Sequence, residues 1–119
     1  MAGTAGSAGA PLGPTFASVA EIMRQNCGAP SCHGGGPEGQ DIVFVDATTL
    51  YEILMTKVVA ECGGTFMVKP GDPVNSALLQ LPTWQCGDLV MPKGCIDDPC
   101  LTAPEMEALR GWISAGAPR

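Results

Sequence analysis

Cysteine constrains this chain more than any other residue type, because a short cysteine-rich sequence is usually held together by what its thiols bond to. There are six, and two of them, Cys27 and Cys32, share the run CGAPSCH with His33, the only histidine. In 119 residues a single core is feasible but small. Aromatics make up 5 % of the sequence, and sixteen glycines with eleven prolines imply much turn and loop. A chain so composed gains from cross-links, or from a large apolar group at its centre.

The net charge is −6 and the pI about 4.4. An acidic surface is repelled by a phosphate backbone, so nucleic acid is not expected as a partner; a basic protein, or no partner with strong steering, fits better. No run approaches the roughly 18 apolar residues of a membrane span, so no direct span is expected. The first residues carry neither a basic n-region nor an apolar h-region, so no signal peptide is expected within this chain.

Residues 1–14, MAGTAGSAGAPLGP, read as a flexible tether, and residues 15–119 as one domain. Phe16, Val19, Ile22 and Met23 share one helical face, with Ser18 and Glu21 at capping-box spacing, and this helix should stop near Gly28 to Pro30. GGGPEG is loop, and DIVFV is strand or extended segment. Thr49 and Glu52 repeat the capping-box spacing and start a helix through LYEILMTKVV that Gly63 and Gly64 end. Asp72 as N-cap and Pro73 at the first helical position open a short helix that Pro82 closes. WQCGDLVMPKGCIDDPC is irregular. Thr102 and Glu105 bracket a third capping box, Pro104 lies in the first turn, and Gly116 ends a helix with Met106, Leu109, Trp112 and Ile113 on one face.

The chemistry concentrates in CGAPSCH. Attaching a haem through thioethers needs two thiols to reach two vinyl groups while the next imidazole turns under the iron, as in C-x-x-C-H. Cys32 and His33 supply the adjacent pair. Cys27 has to span four residues rather than two, a bulge that Gly28, Ala29, Pro30 and Ser31 are small enough to make. Three other readings compete. Cys27 and Cys32 could form a structural disulfide, pair with Cys95 and Cys100 as a four-cysteine zinc site, or act as a redox dithiol. With no second histidine, a sixth ligand would have to be a methionine. Met91 stands in the loop LVMPKG, flanked by Pro92 and Gly94, where a thioether can be presented from irregular backbone. Met67 is its rival, while Met23, Met55 and Met106 lie at helical spacing and read as core.

Together CGAPSCHGG after a short helix, KPGDPVNSALL, VMP and LTAPEMEALRGWISAGAP resemble the small single-haem cytochrome c domains of class I type, including those tethered beside other modules. The likeness spans residues 15 to 118. It implies an all-α fold whose first and last helices cross around a covalent haem c. It also implies thioethers at Cys27 and Cys32, His33 as proximal ligand and Met91 as distal ligand. The family's gap between the cysteines is two residues, and this chain departs from it.

Cys62, Cys86, Cys95 and Cys100 lie outside that family's pattern. Covalent haem attachment implies a periplasmic or extracellular protein, and such a compartment permits disulfides. Four cysteines allow three connectivities. The favoured one is Cys95–Cys100, closing CIDDPC just after Met91, with Cys62–Cys86 enclosing the third helix.

The expected function is one-electron transfer to and from redox protein partners, from a domain tethered to a membrane anchor or a larger assembly. With both axial positions filled no site is open to a substrate, so enzyme activity is not expected. The alternatives are an enzyme or a gas- or peroxide-binding domain with an open iron, and a zinc- or disulfide-stapled binding module without haem.

Overall fold

The computed structural model describes residues 12–27, 47–92 and 94–119. Helix α1 runs Phe16–Cys27, α2 Ala47–Thr56, α3 Ala77–Gln80 and α4 Ala103–Ser114. Between α2 and α3 a two-residue ladder pairs β1 (Val58–Val59) with β2 (Thr65–Phe66), antiparallel, with Val58 opposite Phe66 and Val59 opposite Thr65. Single 3₁₀ turns cover Ala60–Cys62, Pro73–Asn75 and Leu81–Thr83. The described residues are thus mainly helical and loop-rich, and the expectation of an all-α chain is corrected by the small hairpin.

The first and last helices carry the packing. Helix α1 buries Val19, Ile22 and Met23, the stripe read from the sequence. Helix α4 buries Met106, Ala108, Leu109, Trp112 and Ile113. They lie against each other in opposite senses. Phe16, at the start of α1, has its ring centroid 5.8 Å from that of Trp112, in the second half of α4. Asn26, near the end of α1, donates from Nδ2 to Glu105 Oε2 in the first turn of α4, at 3.0 Å. Tyr51 of α2 completes an aromatic cluster, edge-on to Phe16 at 5.1 Å, a favoured arrangement of the two ring quadrupoles. Gly111 lets the chain entering α1 pass close to α4, since a Cβ there would lie 2.9 Å from Pro14 Cβ.

Capping decides where these helices begin. Helix α4 has the full reciprocal box: Thr102 Oγ1 accepts from the Glu105 N–H, and Glu105 Oε1 accepts from the Thr102 N–H at 2.9 Å. In α1 the expected box at Ser18 and Glu21 does not form. Thr15 Oγ1 instead accepts from the Ser18 N–H at 3.2 Å. Ser18 turns its hydroxyl back to the Gly13 N–H at 3.0 Å, while Glu21 pairs with Arg24 further along the helix.

Helix α2 also differs from expectation. It is already helical at Ala47, ahead of Thr49, and it stops at Thr56. The β-branched pair Val58 and Val59 leaves the helix for the ladder, as their stiff χ1 favours extended backbone. Gly63 and Gly64, at φ +80° and +77°, make the reversal into β2. Asp72 stands at the N-cap position of the Pro73–Asn75 turn but makes no side-chain cap bond. The hydroxyl of Ser76, fully buried, orders this corner instead: it accepts from the Lys69 N–H at 2.8 Å and donates to the Asp72 carbonyl at 3.0 Å. Pro82 sits inside the Leu81–Thr83 turn rather than closing a helix.

Candidate functional site

Cys27 is the last residue of α1 and packs half-buried against the core. Its position follows from the helix: Val19, Ile22 and Met23 fix the buried face, and Cys27, four residues past Met23, returns to that side. Cys32 and His33 lie outside the described residues, as does the DIVFV segment.

Met91 belongs to the irregular chain between Trp84 and Cys100. Its N–H donates to the Leu81 carbonyl at 3.3 Å, Val90 before it is buried, and its side chain packs half-buried against the core. Two cross-links bracket it. Cys62 is bonded to Cys86 (S–S 1.96 Å) and Cys95 to Cys100 (S–S 2.08 Å), the connectivity favoured from the sequence. The Cys100 N–H donates to the Pro82 carbonyl at 2.8 Å, so the base of the second loop is tied to the turn after α3. By the loop-entropy relation, cross-links of 24 and 5 residues' separation would stabilise the fold by about 3.5 and about 2 kcal/mol.

The other methionines differ in setting. Met67 is 6 % exposed, with its N–H given to the Lys57 carbonyl at 2.8 Å and its own carbonyl accepting from the Leu78 N–H at 2.9 Å. Met23 and Met106 are buried on α1 and α4. Met55, read as core, is half-buried on α2. Among the described thioethers, Met91 alone combines partial exposure with irregular backbone.

Of the four residues that the haem reading names, the described ones are a half-buried thiol at a helix end, Cys27, and a half-buried thioether in a loop, Met91, each packed against the apolar core. A four-cysteine zinc site fits less well. Cys95 and Cys100 are bonded to each other, and a metal binds thiolate rather than disulfide sulfur. No group of three or more His, Cys, Asp or Glu side chains comes together among the described residues.

Electrostatic perturbation lies elsewhere. The hydrogen bond from Arg24 holds the Glu21 carboxyl below its usual range, helped by Gln25 and opposed by burial. The Asn75 amide does the same for Asp72. Both are local surface pairs, Glu21 lying on α1 six residues before Cys27. An open groove of about 170 Å³ between Val74, Gln80, Thr83 and Arg110 includes neither Cys27 nor Met91 in its lining.

Trp84 was not among the residues singled out from the sequence. It caps the Leu81–Thr83 turn in left-handed conformation (φ 61°, ψ 34°), and its indole N–H donates to the Asp97 carbonyl at 2.6 Å. The available signal was a tryptophan standing off every helical stripe, in a segment otherwise rich in Gly, Pro and Cys. No helix of the described residues is long and apolar enough to cross a membrane. Set against protein-family models, curated proteins and solved structures, the chain matches none of them.

Proposed function

We propose that this protein is a one-electron carrier of the periplasm or extracellular space, built around one covalently attached haem c. Cys27 and Cys32 would hold the haem through thioethers, His33 and Met91 would be its axial ligands, and redox proteins its partners. When bound, the haem supplies an iron that cycles between ferric and ferrous, and a methionine ligand raises its potential relative to a second histidine. The chain's own residues do the rest. Helix α1 presents Cys27 at the edge of the core, and the two disulfides restrain the segment on which Met91 is carried. The observation that carries this reading is Met91 itself, the partly exposed methionine on irregular backbone, held between two cross-links.

The test is a visible spectrum of the oxidised and reduced protein, made alongside the machinery that attaches haem, together with the intact mass after denaturation. One haem retained by the denatured chain, with a methionine-to-iron charge-transfer band in the oxidised form, is the expected result. A covalent haem with a five-coordinate high-spin spectrum would instead point to an open iron that binds gas or peroxide.

A second reading has its own support. Val19, Leu54, Leu109, Trp112 and Ile113 form a core fully buried by protein. That favours a disulfide-stapled binding module, and a colourless protein from the same preparation would select it.

A further inference from the structure

Two features at and beside the Cys95–Cys100 loop work against stability. Ile96 is 92 % exposed, so its whole side chain stands in water. Trp84, 42 % exposed as a residue, holds a bulky side chain at φ 61°, a backbone region costly for anything but Gly, Asn or Asp. Single exposed apolar residues are ordinary. Here the two are linked, because the Trp84 indole is bonded to the Asp97 carbonyl, one residue from Ile96.

The loop is also braced. The disulfide closes it, the Asp97 N–H donates to Cys95 Sγ at 3.3 Å, and the Cys100 N–H is tied to Pro82. An apolar tip held in place loses little conformational freedom on contact, which is what a docking residue needs. Asp97 and Asp98 are exposed beside it, and none of the ion pairs among the described residues uses either one.

We propose that the Cys95–Cys100 loop is a docking site for a basic protein, with Ile96 and Trp84 as apolar anchors and Asp97 and Asp98 as the acidic rim. The charge selects the occupant. An anionic membrane surface or a nucleic acid would be repelled by the two carboxylates, and a second copy of this chain, at −6, would bring like charges together. A lysine-bearing surface with an apolar centre complements both parts. The inference does not depend on haem, because every residue in it is described without one, and the calorimetric test below reads binding whatever the spectrum shows.

The test is titration calorimetry of the full chain with a synthetic lysine-rich peptide carrying leucine and phenylalanine at its centre. A lysine–serine peptide of equal length and a glutamate-rich one serve as controls. The apolar lysine peptide should bind and the glutamate peptide should not. Ile96→Ser and Trp84→Gly should each weaken binding by about ten-fold or more. The double variant Asp97→Asn, Asp98→Asn should weaken it similarly and flatten its salt dependence. Removing equal charge from α1 and α2, by Glu21→Gln with Glu52→Gln, should change it by about two-fold at most, since neither carboxylate belongs to the loop and contributions from exposed charges outside a contact are screened by salt.

Equal losses from the two charge-removing pairs would reduce the effect to net charge and overturn the proposal. So would an unaffected Ile96→Ser variant, equal binding of the lysine–serine peptide, or no binding at low salt. Sedimentation as a dimer that Ile96→Ser dissociates would give the site to a second copy. Retention on vesicles of anionic lipid would give it to a membrane.

Discussion

Asn26 donates from Nδ2 to Glu105 Oε2 at 3.0 Å, while the other oxygen of the same carboxylate accepts from the Thr102 N–H at 2.9 Å. One side chain thereby caps α4 and ties down the end of α1, the residue beside Cys27. Removing it should release both. Glu105→Ala is expected to lower stability by about 1 to 2 kcal/mol, combining a lost cap with a charge-assisted bond. Asn26→Ala should cost less, because the capping box survives. Urea midpoints check this, and an equal cost for the two variants would mean that the cap contributes nothing of its own.

Met91 and Met67 should separate function from stability. Met67 is buried, so Met67→Ala is expected to cost about 2 to 5 kcal/mol by leaving a cavity, with the charge-transfer band retained. Met91→Ala should cost less stability, since its side chain is half-buried, while removing the band and lowering the potential. Reversed optical effects would transfer the ligand role to Met67. No band in the unaltered protein would remove methionine ligation from the proposal.

The loop cross-link should guard that ligand. Reducing the protein, or changing Cys95 and Cys100 together to serine, is expected to remove about 2 kcal/mol of restraint on the unfolded loop. The loop has few backbone bonds of its own, so Met91 should detach from iron at lower denaturant than unfolds the helices. The charge-transfer band would then fade before the far-ultraviolet signal. Simultaneous loss at an unchanged midpoint would mean the staple does not brace Met91.

Acid should weaken the fold through two surface carboxyls. Glu21 and Asp72 have folded values lowered from 4.5 and 3.8 by hydrogen bonds from Arg24 and Asn75, respectively. A lowered folded value means the unfolded chain binds protons first as pH drops, so this contribution is full above the ordinary carboxyl range and is lost as pH falls through the folded values. Glu21→Gln should flatten the low-pH limb of the stability profile by lowering the neutral plateau slightly, with stability below the folded values nearly unchanged. Denaturant midpoints across the acid range would show it, and an unaltered limb would exclude the Arg24 pair as a contributor.

Much of this architecture could be read from residues because the signals were redundant. Helix α4 announces itself by Thr102, Pro104, Glu105 and Gly116 together with a four-residue apolar stripe, so no single error could displace it. The start of α1 rested on one signal. Two hydroxyls, Thr15 and Ser18, compete for the cap, and the winner depends on where Gly13 brings its N–H, which spacing does not encode. Helix α2 was extended too far because Val58 and Val59 continue an apolar run that fits either period, and only the ladder with Thr65 and Phe66 decides between them. The cysteine pairs were legible because a separation of 5 closes readily at Cys95–Cys100, which leaves Cys62 and Cys86 for each other across 24. Trp84 was not, since its role depends on a backbone angle that no residue pattern announces.

Placed under tension between its two ends, the chain would be shorter than its sequence. The Cys62–Cys86 bond closes off 24 residues of separation and Cys95–Cys100 another 5, and neither stretch can be drawn out while oxidised. At about 3.5 Å per extended residue, roughly 85 Å and 17 Å of contour are withheld, less the few ångströms each bond itself spans. A single-molecule pull should therefore lengthen by about 90 Å when reductant is added. Helix α3 lies wholly inside the larger ring, so force reaches it only after that bond is cut, whereas α1 and α4 bear the load from the first moment.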